Sequence, residues 1–131
     1  MIALDTNVLL RIFLDIDGDD GHAAVARSAV DNLDEVRVAE IVFTEMLWVL
    51  RKRFQVTRNE VGSIGHEILN HTRFFVERAA HLREALKIFE ASNVEFTDAL
   101  ALVDARRAQC QLYTFDLKLS RLHGAYHLSP R

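Results

Sequence analysis

The chain has 131 residues, half of them hydrophobic, and no linker or repeat divides it, so residues 1–131 are predicted to form one domain. The formal net charge of −3 argues against a protein that holds nucleic acid through bulk positive charge, although divalent cations at an acidic site would reverse the sign locally. The single cysteine excludes an internal disulfide, and neither a secretion signal nor a membrane-spanning run is visible, which predicts a cytoplasmic protein.

The predicted elements alternate between short strands and longer helices. Residues 2–4 are predicted as a strand, 7–14 and 22–33 as helices, 36–39 as a strand, 41–54 and 57–70 as helices, and 74–76 as a strand. Helices over 79–91 and 97–108, a strand over 111–115, a helix over 117–122 and a strand over 126–128 follow. Thr57 and Glu60 match a capping box at the start of the fourth helix. This order predicts an α/β fold with a mostly parallel sheet of four or five strands.

Residues 15–21 form an acidic segment between the first two helices. Asp15, Asp17 and Asp19 have the first three spacings of a calcium-binding loop. However, Asp20 stands where such a loop needs glycine, and Ala26 stands where it needs a bidentate glutamate. A solvated turn is therefore predicted here.

Three aspartates stand where helices are predicted to begin, and two of them, Asp5 and Asp116, directly follow predicted strands. Because the carboxyl ends of parallel strands meet at one edge of a sheet, Asp5 and Asp116 are expected to lie close together, with Asp98 joining them. The alternative is that each of the three only caps its helix, since aspartate is a good N-cap. Asparagine caps equally well but is a poor Mg²⁺ ligand, so Asp5→Asn separates the two interpretations.

Glu45 lies in an apolar stripe of the third helix. Its neighbours three and four positions away are Ile41, Val42, Trp48 and Val49, all apolar. This pattern predicts a partly buried carboxylate, which needs either a cationic side chain or a metal ion as its partner.

Oxygen ligands without histidine or cysteine favour Mg²⁺ or Mn²⁺ over zinc. His66 and His71 are five positions apart, which does not match a zinc-binding pattern. Several carboxylates held together repel one another unless a cation lies between them, so the acids predict a site for one hard cation, with a second ion uncertain.

Four segments together resemble the PIN-domain nucleases, and the likeness is greatest to the VapC-type toxins of toxin–antitoxin pairs. These segments are MIALDTNVLL (residues 1–10), VFTEMLWVL (42–50), FTDAL (96–100) and LYTFDL (112–117). The resemblance spans nearly all of the chain and implies a single α/β/α sandwich. It also implies a Mg²⁺-dependent endoribonuclease, which hydrolyses RNA phosphodiesters with a metal-activated water.

The resemblance also implies roles for individual residues. Asp5, Glu45, Asp98 and Asp116 match the metal-binding and catalytic acids of the family, with Asp5 and Asp116 holding one Mg²⁺. Thr6 and Asn7 match the polar pair after the first acid, and Thr114 matches the hydroxyl residue before the last one. Thr114 either hydrogen-bonds a ligating carboxylate or the phosphate, or only packs. Lys118 and Arg121 lie near Asp116 and are candidates for RNA contact.

Toxins of this family usually form homodimers and are silenced by a VapB-like antitoxin, which the resemblance therefore implies here. Two other functions remain open from the sequence. One is a PIN nuclease that processes RNA and is not a toxin. The other is a phosphatase of the haloacid-dehalogenase type, although Asn7 stands where that class usually has a second acid.

Overall fold

The computed structural model describes residues 1–16 and 18–130. The strands are β1 (Ile2–Ala3), β2 (Val36–Val38), β3 (Phe74–Val76), β4 (Leu112–Thr114) and β5 (Ala125–His127). The helices are α1 (Thr6–Phe13), α2 (His22–Asp31), α3 (Glu40–Lys52), α4 (Arg58–Asn70), α5 (Ala79–Ala91), α6 (Phe96–Arg107) and α7 (Leu117–Ser120). Every predicted element is present, and the α/β class is confirmed. Within the described ranges, no helix is long and apolar enough to cross a membrane.

The chain forms two compact units, a first unit of Met1–Ala79 and a second unit of Ala80–Arg131. In the first unit β1, β2 and β3 pair in that order, all parallel. In the second unit β4 and β5 form a parallel pair. The parallel arrangement was predicted, but the strands form one sheet of three and one of two, where one sheet of four or five was expected. Each strand has only two or three residues, so each offers few backbone groups for pairing.

The first unit is built around a core between its sheet and its helices. α3 buries one face, and β2 buries Val36 and Val38, which point to the same side of the sheet, while Arg37 between them is half-buried. The residues that are completely buried there include Leu9, Val36, Val38, Phe43, Met46, Leu47, Leu50, Val61 and Ile68. The hydroxyl of Thr57 accepts a hydrogen bond from the Glu60 backbone N–H (3.2 Å), so the predicted cap at the start of α4 is confirmed.

In the second unit, α5 and α6 supply most of the core. The four apolar residues of α5 at helical spacing, Leu82, Ala85, Leu86 and Phe89, are all completely buried. Phe89 meets Phe96, the first residue of α6, edge to face, with ring centroids 6.3 Å apart. This contact fixes the start of α6, where Asp98 lies in the first turn.

The acidic segment between α1 and α2 is a turn held by Asp19. Its carboxylate pairs with Arg11 of α1 and accepts a hydrogen bond from the Ala23 backbone N–H (2.8 Å). Asp17, the middle aspartate of the predicted turn, lies outside the described residues. Asp19 therefore ties the last part of α1 to the first turn of α2.

Candidate active site

Asp5 follows the first strand and caps α1. Its Oδ1 accepts a hydrogen bond from the backbone N–H of Val8 (3.0 Å), and its side chain is exposed. No described residue donates a hydrogen bond to Oδ2. The cap that was predicted for Asp5 is thus confirmed, and it leaves one carboxylate oxygen available for a cation or a substrate.

Glu45 lies on the solvent-facing side of α3. The prediction that it is partly buried is wrong, because α3 turns its other face, with Phe43, Met46 and Leu47, into the core. The apolar stripe around Glu45 is instead largely open to solvent, with Ile41 exposed by 71% and Trp48 by 52%. Burial therefore forces no cationic or metal partner on Glu45. Whether Glu45 can bind a metal ion therefore depends on the residues of α1 and α3 that lie around it.

Glu45 lines a groove in the first unit, between α1 and α3, with a volume of about 490 Å³. The groove brings Asp5 and Glu45 to one surface, together with the predicted substrate residues Thr6 and Asn7. Its lining residues are Asp5, Thr6, Asn7, Leu10 and Arg11 on one side and Val42, Glu45, Val49 and Arg53 on the other. The Asn7 side-chain oxygen accepts a hydrogen bond from Arg11 Nε (3.2 Å), which leaves the Asn7 amide protons for a ligand.

Asp116 caps α7 in the second unit in the same way that Asp5 caps α1. Its Oδ1 accepts hydrogen bonds from the backbone N–H groups of Lys118 (2.8 Å) and Leu119 (3.1 Å), and no described residue donates to its Oδ2. The hydroxyl of Thr114 accepts a hydrogen bond from the Asp116 backbone N–H (3.0 Å). Thr114 therefore holds the backbone of the acid, a role that the sequence did not suggest.

Asp98 lies in the first turn of α6, which begins two residues before it, so it is not the predicted cap; that position belongs to Glu95. Partial burial raises the pKa of Asp98, and the charges of Asp116 and then Glu95 raise it further. The structure thus brings Asp98 and Asp116 close enough to repel each other. It also adds Glu95, which the sequence reasoning missed although it stands one helical turn before Asp98.

Lys118 and Arg121 are both exposed at α7. Lys118 lies two positions after Asp116, and its backbone N–H donates to the carboxylate of that acid, while Arg121 ends the helix. Their side chains are open to a ligand, and their role in binding RNA stays a prediction.

The acids come together as two pairs, Asp5 with Glu45 in the first unit and Asp98 with Asp116 in the second. Among the described residues, no three histidine, cysteine or acidic side chains are placed to hold a metal ion by themselves. Mg²⁺ needs fewer than three protein side chains, because it usually keeps several waters and binds one or two carboxylates together with substrate phosphate oxygens. Burial raises the pKa of Asp98 most and the charge of Asp116 raises it further; a bound cation would relieve this repulsion, and all donors are hard oxygens. These residues therefore fit a divalent cation that takes oxygen ligands.

Comparisons with known proteins identify the family of the chain. A VapC ribonuclease of Aquifex aeolicus (strain VF5) is 27% identical over 111 residues, which cover 82% of this chain and 80% of that protein. VapC20 of Mycobacterium tuberculosis, a toxin that cleaves the sarcin–ricin loop, matches at 20% identity with a TM-score of 0.46, over 92% of this chain and 94% of its own. The model of the PIN domain matches residues 2–125, a range that spans both units and includes all four predicted acids. The predicted resemblance is thereby confirmed, and the chain belongs to the PIN-domain family.

Proposed function

We propose that this protein is a Mg²⁺-dependent endoribonuclease of the VapC type, the toxin of a toxin–antitoxin pair. Hydrolysis of RNA is the activity of its VapC relative, and membership of the PIN family supports it. The observation that carries the proposal is the pairing of Asp98 with Asp116 and of Asp5 with Glu45, at the positions of the family motif. The phosphatase alternative has no support, because Asn7 stands in place of its second acid and the family match points elsewhere.

These paired acids would bind Mg²⁺, which supplies charge neutralisation at the scissile phosphate and makes a water more acidic. Asp116 and Asp5 each have one carboxylate oxygen fixed by a helix cap, so the other oxygen is already oriented. Asp98, which lies beside Asp116, would accept the proton of the attacking water. Glu45, exposed in the groove, is the other candidate for this base.

The polar residues around the acids would position the RNA. Thr6 and Asn7 line the groove beside Asp5 and can donate hydrogen bonds to phosphate oxygens. Lys118 and Arg121 are exposed beside Asp116 and would contact the backbone electrostatically. Thr114 would act indirectly, since its hydroxyl holds the backbone N–H of Asp116.

A VapB-like antitoxin is proposed as the protein partner, in the cytoplasm. The exposed Ile41 and Trp48 flank Glu45 on α3 and form an apolar surface beside the groove, which suits contact with a protein.

A homodimer is the proposed assembly of the toxin. Sedimentation of the purified protein tests the dimer, and co-purification with the product of an adjacent small gene tests the antitoxin. A PIN nuclease of RNA processing would not arrest growth when expressed without that product.

The experiment that tests the function is cleavage of total RNA by the purified protein in Mg²⁺, in Mn²⁺ and in EDTA. We expect cleavage with either metal and none in EDTA. Asp98→Asn and Glu45→Gln should each lower the rate by about 100-fold or more. Asp34→Asn and Glu67→Gln are the matched controls, because both acids are exposed and lie away from the two pairs. Equal cleavage in EDTA, or full activity of Asp98→Asn, would contradict the metal mechanism.

A further inference from the structure

The groove between α1 and α3 has an acidic end and a basic end. Both helices begin at the carboxyl edge of the same parallel sheet, because each follows one of its strands. By helical rise, the backbone of Arg11 lies about 9 Å after that of Asp5 along α1, and the backbone of Arg53 lies about 12 Å after that of Glu45 along α3, at 1.5 Å per residue. In both helices the acid therefore comes first and the arginine lies farther along the groove.

Arg11 is held in place while keeping donors free. Its Nη1 pairs with Asp19, and its Nε donates to the Asn7 side-chain oxygen, so the side chain is only 20% exposed. No described residue accepts a hydrogen bond from its Nη2. A guanidinium that is anchored by two of its nitrogens loses little conformational entropy when the third binds a ligand.

Arg53 is exposed at the end of α3, and its guanidinium has no ion pair or hydrogen bond with any described residue. It lies over the ring of Phe54, with 5.6 Å between the guanidinium carbon and the ring centroid. Its charge is therefore not neutralised within the described part of the chain, although it lines a groove.

We propose that Arg11 and Arg53 bind backbone phosphates of the RNA strand next to the phosphate that is cleaved. The inference rests on the proposed function, because the acidic end of the groove then marks the scissile phosphate. Each nucleotide of a single strand carries a phosphate, so a strand that enters at the acids and follows the groove brings the neighbouring phosphates to the arginines. Guanidinium groups match phosphate oxygens in both charge and geometry.

The occupant proposed here is the sugar–phosphate backbone, which carries no sequence information. Arg11 and Arg53 would therefore set the register of the strand and contribute to affinity, and they would not select the base at the cleavage site. An acidic protein segment is the alternative occupant of the same donors. If an acidic protein segment is the occupant, replacing Arg11 or Arg53 should not change RNA binding.

The test measures the salt dependence of binding to a fluorescent, mixed-sequence, single-stranded oligoribonucleotide in Mg²⁺. The proteins carry Asp116→Asn so that the RNA stays intact. We expect Arg53→Gln to weaken binding by about fivefold and to reduce the slope of log K against log salt by about 0.7, the value for one lost phosphate contact. Lys52→Gln removes the same charge one residue away, outside the groove, and should leave the slope unchanged.

Arg11→Gln needs a different control, because it also breaks the ion pair with Asp19. Asp19→Asn breaks the same pair and keeps the Arg11 guanidinium, so only Arg11→Gln should lower the slope. The inference is overturned if both arginine variants keep the parent slope, or if the changes in Lys52→Gln and Asp19→Asn equal theirs. Cleavage by the wild-type protein is measured separately. If the wild-type protein cleaves RNA while the slopes do not change, only this inference fails. If the wild-type protein never cleaves RNA, the proposed function fails, and this inference fails with it.

Discussion

Asp98 and Asp116 lie close enough together that the charge of Asp116 raises the pKa of Asp98, in addition to the larger effect of partial burial. Removing that charge in Asp116→Asn should lower the pKa of Asp98, as followed by NMR titration of its side-chain carboxyl carbon without metal. Glu95→Gln should lower it by less, because Glu95 makes the smaller contribution. Saturating Mg²⁺ should also lower it. An unchanged pKa of Asp98 in Asp116→Asn would show that the two acids do not interact.

The same repulsion predicts a cost in stability. A carboxyl whose pKa is raised by folding stabilises the protein at pH values below its unfolded pKa of about 3.9, and that contribution is lost as the pH rises through the folded value. Asp98→Asn should therefore raise the free energy of unfolding at pH 7 by about 0.5 kcal/mol, since solvent screens a partly exposed charge. Urea unfolding of the metal-free protein measures it. Asp34→Asn should not reproduce the gain, and an Asp98→Asn protein less stable than the wild type at pH 7 would refute this account.

Asp116 caps α7 and is also a proposed metal ligand, and two substitutions separate these two roles. Asp116→Asn keeps an oxygen for the N–H groups of Lys118 and Leu119, so it should change the free energy of unfolding little while abolishing Mg²⁺-dependent cleavage. Asp116→Ala also loses the cap, and it should cost about 1 kcal/mol more. Thermal unfolding and RNA cleavage of the two proteins check the prediction. Equal stability of both variants would mean that the cap contributes nothing.

Thr114 should act through the backbone of Asp116. Thr114→Val removes the oxygen that accepts the Asp116 N–H, so it should lower the apparent affinity for Mg²⁺ and lower cleavage at limiting metal, with partial recovery at high metal. Thr114→Ser keeps the hydroxyl and should restore both. Metal titration of the cleavage rate is the measurement. If valine and serine behave alike, packing of the side chain matters and the hydrogen bond does not.

Trp48 reports on the exposed face of α3, because it is the only tryptophan and lies one helical turn from Glu45. Its fluorescence should be typical of a solvent-exposed indole and readily quenched by acrylamide. A protein partner that covers Ile41 and Trp48 should shift the emission to shorter wavelength and protect it from quenching. A blue-shifted, protected spectrum of the isolated protein at low concentration would contradict the exposure described for Trp48.

The sequence predicted the elements well, because periodicity and caps are local signals. Thr57 and Asp5 cap the helices that they were expected to cap, and Leu82 and Phe89 are buried as their spacing indicated. The burial of Glu45 was predicted wrongly, because the apolar stripe around it is not the face that α3 turns to the core. Only tertiary packing decides between two apolar faces of one helix, and the sequence alone contains no measure of it.

The site was predictable in part. Asp5 and Asp116 were identified because they follow strands, and Asp98 because it stands near a helix start, while Glu45 was singled out for a burial that the structure does not show. Glu95 and the Thr114 hydrogen bond were missed, because both depend on where a helix or a loop begins to within one residue. Arg11 and Arg53 were not among the predicted site residues, since their place in one groove depends on how α1 packs against α3.

The use of a single carboxylate oxygen for each helix cap has a consequence for how this gene would tolerate mutation. A change from aspartate to asparagine at position 5 or 116 alters one atom of the oxygen pair and retains the acceptor on which the helix depends. The product should fold and accumulate, and it should still bind the proposed RNA substrate and antitoxin without cleaving the RNA. Such alleles would not be simply null, because an inactive product that binds the proposed inhibitor would release an active copy in the same cell from inhibition.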